Sequence, residues 1–156
     1  EQRLFYANAA LPEVLLAAGS MLDRPQLIHD GMTLLSWLRD VETTDGHLSV
    51  TPAGGWRTGE PRPGFDQQPI EVAALTDAFA RAFTITADAG WAEGVRMGAA
   101  WFRGDNDLGK PLMDSGSGGG CDGLGRLAPS RNQGAESTLA LISTLQHERS
   151  FAGGMR

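Results

Sequence analysis

Residues 25–41, PQLIHDGMTLLSWLRDV, place Leu27, Ile28, Met32, Leu35, Leu38 and Val41 at three-to-four spacing, the period that gathers side chains on one face of an α-helix. Pro25 suits the first helical turn, where its missing N–H has no partner to lose. The reading is an amphipathic helix. The same rhythm returns in residues 69–86 (PIEVAALTDAFARAFTIT), through Val72, Leu75, Phe79, Ala82 and Phe83, again behind a proline. Residues 89–103 (AGWAEGVRMGAAWFR) align Trp91, Val95, Gly98 and Phe102, with Gly104 placed as a left-handed stop. Residues 134–149 align Leu139, Ile142 and Leu145. Residues 4–22 hold two apolar runs broken near Pro12, a helix entered through a turn. Trp37 and Trp91 fall on helical faces and are expected in the core.

No strand–helix–strand alternation appears. In DGHLSVTPAGGWRTGEPRPGF the best strand candidate is His47–Val50, and the rest is turn chemistry. The expected fold is therefore all-α: antiparallel helical hairpins with long loops and at most a short β-ribbon. At 156 residues the chain fits a single domain, 1–156, able to bury roughly 70% of the surface its unfolded form exposes. The 21 glycines and 8 prolines place much of the remainder in turns.

The net charge of −6, with no lysine or arginine cluster, argues against nucleic acid and anionic membranes as partners. A neutral, hydroxyl-rich ligand suits this acidic, aromatic-containing chain better. The single cysteine, Cys121, excludes an internal disulfide and a cysteine-based zinc site, which fits a reducing compartment. No apolar run reaches the ~18–20 residues needed to cross a bilayer, and there is no basic-then-apolar start, so a cytoplasmic location is expected. A first residue Glu1 rather than Met is read as a piece of a longer protein.

Several motifs fail on context. Gly118–Gly123 (GGGCDG) matches G-x-G-x-x-G, but no strand precedes it and no helix N-terminus follows to receive a phosphate. Asp105-Asn106-Asp107 resembles the start of a calcium loop, but Gly109 stands at the next alternate position and no Glu at the twelfth. It also matches the D-x-D of nucleotide-sugar transferases, where that motif ends a strand; here it follows a helix. Cys121 with His29, His47 and His147 lacks any local signature of a nucleophile and its base. No metal or other cofactor is expected.

Three loop-to-helix junctions stand out. FDQQPIE (Phe65–Glu71) carries Asp66, Gln67, Gln68 and Glu71; the glycine-rich segment after residue 104 carries Asp105, Asn106, Asp107 and Asp122; RNQGAE carries Arg131, Asn132, Gln133 and Glu136. Each could be a helix cap, but a cap needs one polar residue. Carboxylates and side-chain amides recognise vicinal hydroxyls, aromatic rings cover apolar sugar faces, and paired carboxylates serve glycosyl chemistry. The candidate catalytic residues are Asp105, Asp107, Asp122 and Glu136. The candidate substrate-binding residues are His47, Trp56, Asp66, Gln67, Gln68, Glu71, Trp101, Arg131, Asn132 and Gln133. Convergence of all three junctions on one cleft, with Trp56 or Trp101 on its wall, is the expectation.

FDQQPIEVAAL, WFRGDNDLGKPLMDSGSGGGCDGLG and NQGAESTLALI, in that order, together with RLFYANAALPEVLLAAG, resemble a helical region of bacterial glycosyltransferase-related proteins over nearly the whole chain. The hairpin rhythm is similar to that of (α/α)6 toroids. The resemblance implies a partial (α/α)6 barrel, the C-terminal portion of a longer toroid, working as a carbohydrate-active module beside a glycosyltransferase domain or the remainder of the same protein. A non-catalytic docking or scaffold module, or a glycoside hydrolase or epimerase-like enzyme, is the alternative. Saccharide is the expected ligand, and apolar faces left by an incomplete ring make a homo-oligomer a further expectation.

Overall fold

The computed structural model describes residues 3–62 and 64–154, with side chains through Phe151. The expectation drawn from Glu1 lies outside them. The chain forms α1 (Ala10–Met21), α2 (Pro25–Val41), a two-stranded antiparallel ribbon of β1 (Thr43–Thr44) and β2 (His47–Leu48), α3 (Pro69–Thr86), α4 (Ala89–Arg103) and α5 (Ala135–Gly154). The protein is mainly helical, and its only named strands are those of the ribbon, among the described residues.

The prolines and local stops act as their positions require. Pro25 and Pro69 open α2 and α3, and Pro12 falls in the first turn of α1, where amides have no intrahelical acceptor. Asp88 caps α4 by accepting from Gly90 N at 2.8 Å, and Gly104, at φ 112°, ends it. The link from α3 to α4 is therefore only Ala87 and Asp88.

α3 is the centre of the fold. Val72 to Thr76 are buried without a break, as are Ala78, Phe79, Ala80 and Ala82. A helix apolar on nearly every side needs neighbours on nearly every side. α4 lies against it antiparallel: Cβ atoms at Gly94 and Gly98 would stand 2.6 Å from the Phe79 ring and 2.1 Å from Thr76 Oγ1, so these glycines set the approach of the two helices. α1 and α2 form a second antiparallel hairpin through Gly19 against Ile28 and Gly31 against Leu16. Glu71 and Arg81 of α3 bond Asn8 and Glu13 in turn, while Asp77 and Phe83 meet His147 and Phe151. α1 and α3 thus run in the same direction, each antiparallel to the other helix of its hairpin, and α5 lies across α3 and α4, with His147 on Asp77 and Glu148 on Arg103.

Two expectations about helix faces are corrected. In α5 the buried side is Ser137, Ala140, Leu141 and Thr144, leaving Leu139 65% and Ile142 43% exposed. Of the expected face only Leu145 packs against the core, because the side that closes on α3 and α4 is centred on Leu141 and flanked by small and hydroxyl side chains. The helix also runs beyond residue 149, to Gly154. Trp37 is half exposed, whereas Trp91 is buried against Phe79.

Phe79 is fully buried at the contact of α3 with α4. Phe79→Ala is expected to cost about 3–5 kcal/mol in chemical denaturation, since the cavity faces two helices that cannot both collapse into it. A loss below about 1 kcal/mol would contradict the central role of α3.

Candidate functional site

The ribbon turns through Asp45 and Gly46, both at positive φ, which matches the twist of a tight hairpin. His47 and Ser49, two residues apart, consequently point the same way and meet Asp107 from the loop after α4. His47 Nε2 lies 2.7 Å from Asp107 Oδ1, and Ser49 Oγ donates to Oδ2 at 2.8 Å. Gln67 Nε2 donates to the same Oδ2 and to Gly64 O at 2.6 Å, while its Oε1 accepts from Trp101 Nε1 at 3.2 Å. Four of the residues singled out by sequence, His47, Gln67, Trp101 and Asp107, therefore form one connected polar network. Gln67 and Trp101 are wholly buried within it.

Backbone pairing continues the assembly outward. Gln67 N donates to Leu124 O at 3.0 Å and Leu124 N returns to Gln67 O at 2.8 Å. Ala53 N donates to Asp66 O, Asp122 N to Asn132 O, and Ser130 N to Gly123 O. The frame surrounds an open groove of about 320 Å³ lined by Ala53, Asp66, Gln67, Gln68, Asp122, Gly123, Gly125, Ala128 and Ser130. Its lining includes two carboxylate residues from separate junctions, Asp66 and Asp122, with Gln67, Gln68 and Ser130, whose Oγ also accepts from Asn132 N at 3.2 Å. Asp122 Oδ1 accepts from Gly134 N at 2.5 Å, which ties the groove wall to the entry of α5.

The other expected residues are placed elsewhere. Trp101 has no exposed surface and so no face for a ligand; burying an indole whose N–H already has Gln67 as acceptor is favourable. Trp56 is half-buried, with Nε1 donating to Glu60 O at 2.8 Å and Arg62 over its ring. Glu71 is 3% exposed, and its carboxylate accepts from Ala7 N, Asn8 N and Asn8 Nδ2, so it secures the segment before α1. Gln133 joins Ser117 and Asp114 in a surface turn that draws the Asp114 carboxyl down to about 2. Arg131 and Asn132 are exposed, as is Asp105. Glu136 is exposed and accepts from Tyr6. Ser49, Tyr6 and Glu42 had no sequence signal, because their partners lie 9 to 130 positions away.

A larger groove of about 610 Å³ runs along α3 between α1 and α5. None of the residues singled out as candidates lines it, and its charged groups already pair with each other, Arg81 with Glu13 and His147 with Asp77. The smaller groove, with two carboxylate residues and, among the described residues, no ion pair in its lining, is the better candidate. Among the described residues no cluster of three or more His, Cys, Asp or Glu is placed to hold a metal ion, and no helix is long and apolar enough to cross a membrane.

Behind the ribbon, Glu42 is 1% exposed and accepts from Thr51 N at 2.8 Å and from Thr51 Oγ1. Burial pushes its carboxyl from 4.5 up to about 7, the Thr51 bonds opposing and the nearby Glu71 charge adding to the rise. The folded protein thus holds this proton more tightly than the unfolded chain does. The resulting stabilisation is complete below about 4.5 and is lost as pH rises through about 7. Relative to Glu42→Gln, the wild type is expected to lose on the order of 3 kcal/mol across that window. Parallel pH profiles of denaturation would contradict the assignment. Asp107→Asn puts an amide against Ser49 and Gln67 donors and should destabilise by about 1–3 kcal/mol, read in the same experiment.

No protein-family model matches the chain, and comparison with curated proteins returns no relative.

Proposed function

We propose that this protein is a carbohydrate-binding helical module whose ligand lies in the groove of Asp66, Gln68, Asp122 and Ser130. The observation that carries the reading is the polar lining of this groove, in which Asp66, Gln68, Asp122 and Ser130 come from different loops onto a backbone-paired frame. Carboxylates and amides can each engage a pair of neighbouring hydroxyls, and a preformed frame lowers the ordering cost of doing so. The net charge of −6 favours a neutral ligand over a phosphorylated one.

Binding without turnover is the preferred form. Asp107, the most heavily bonded of the candidate acids, has both oxygens engaged by His47, Ser49 and Gln67, and its side chain is only 17% exposed. Association with a glycosyltransferase-related protein rests on the resemblance of FDQQPIE, GDNDLG with CDG, and NQGAE. The antiparallel pairing of α1 with α2 and of α3 with α4 supports the partial (α/α)6 arrangement, which is built of such hairpins. Such a scaffold carries several chemistries, so the groove and not the fold bears the functional argument.

The test is calorimetric or ligand-observed NMR titration with mono- and oligosaccharides, mannosides and glucosides among them. At least one sugar should bind, and Asp122→Asn and Gln68→Ala should each weaken it by about fivefold or more, the loss of roughly one hydrogen bond to a charged or amide group. No binding across the panel, or unchanged binding in both variants, overturns the reading.

A further inference from the structure

Tyr6 precedes α1 and is 57% exposed, yet it is held at both ends. Its hydroxyl donates to Glu136 Oε2 at 2.8 Å. On the main-chain side, the buried Glu71 carboxylate accepts from Ala7 N and Asn8 N, and Asn8 Oδ1 accepts from Phe5 N at 3.0 Å. Leu4 pairs with Trp56 in both directions, at 2.8 and 3.0 Å. A surface ring free to change rotamer gives up that freedom when a ligand binds, whereas a ring already fixed has lost it on folding. No aromatic ring stacks on Tyr6 among the described residues.

Tyr6 lies outside the groove's own lining but at the same end of the helices, where α3 and α5 begin: Ala7 N bonds Glu71 in the first turn of α3, just after Asp66 and Gln68. Glu136 is in the first turn of α5, two residues after Gly134, whose amide donates to Asp122 on the groove wall. The two tryptophans that could have covered a sugar do not do so freely: Trp101 is in the core, and Trp56 lies under Arg62 with its N–H bonded. We propose that Tyr6 is the aromatic platform of the saccharide site, stacking on the apolar face of a pyranose whose hydroxyls reach the groove, with Glu136 as the positioning residue that sets the ring. This inference rests on the saccharide reading of the groove. The Glu136 bond also raises the Tyr6 hydroxyl above its usual range, which keeps it a donor at neutral pH.

Tyr6 is the only tyrosine of the chain, so its ring resonances in tyrosine-labelled protein are unambiguous. Titrating the wild-type chain with the sugar panel should shift them, and ring stacking should make Tyr6→Ala bind about tenfold more weakly. Tyr6→Phe, which keeps the ring but loses the Glu136 bond, should bind about as Glu136→Ala does, between the wild type and Tyr6→Ala. Glu136→Ala should weaken binding and broaden the ring signals, with Glu136→Gln closer to wild type because it still offers an acceptor. Sugar binding that is abolished by Asp122→Asn but leaves the Tyr6 signals unmoved, with Tyr6→Ala binding normally, overturns the platform and leaves the groove. Absence of sugar binding by the wild type overturns both.

Discussion

The buried amide of Gln67 is the constraint on which much of this structure depends. Its side chain has no access to water, so each polar atom must find a partner inside the protein or cost about 1–3 kcal/mol. The partners come from three places: Trp101 at the end of α4, Asp107 in the following loop, and Gly64 just upstream. Asp107 in turn takes Ser49 and His47 from the ribbon. Because the backbone of Gln67 also pairs with Leu124, one residue fastens the long loop, the ribbon and the entry of α3 to the helical core.

That constraint sorts the acidic residues into two kinds. Glu42, Glu71 and Asp107 face inward and have their oxygens taken by backbone amides or side chains of distant segments. They hold the loops in place. Asp66 and Asp122 lie on the outside of the same frame, lining the groove with Gln68 and Ser130. The density of carboxylates and amides at the helix entries thus has two causes. Part closes a fold with long loops, where buried backbone amides need acceptors. Part remains available to a ligand, and the proposed saccharide site is built from that remainder.

The long segment after α4 is ordered by the same economy. Asn106 takes Trp101 O and Lys110 O with its amide group and accepts from Leu108 N, so one short side chain replaces a turn of helix. Leu112 and Leu124 are fully buried and anchor the loop at two points. Between them, Asp114 organises a surface turn with Gly116, Ser117 and Gln133. A glycine-rich loop is thereby carried across the surface to the start of α5, and Asp122 arrives at the groove on it.

The sequence alone determined the helices, because their information is local: the 3.6-residue period, the prolines at first turns and Gly104 as a stop all act within a few residues of chain. The limits of α2, α3 and α4 and the position of the ribbon followed from that. Concentration of chemistry at the three junctions was also legible, since polar residues were denser there than capping requires. Only the tertiary structure decided which of those residues turned inward. Trp101 and Glu71 sit beside Asp66 and Gln68 in type and in context, yet burial depends on neighbours brought from 34 and 63 positions away. The buried side of α5 escaped periodicity for a related reason: Ser137, Ala140 and Thr144 are buried for their small size at a close helix contact, not for hydrophobicity. Tyr6 is the extreme case, because its position depends on a hydrogen bond to a residue 130 positions away, and no local pattern encodes a separation of that kind.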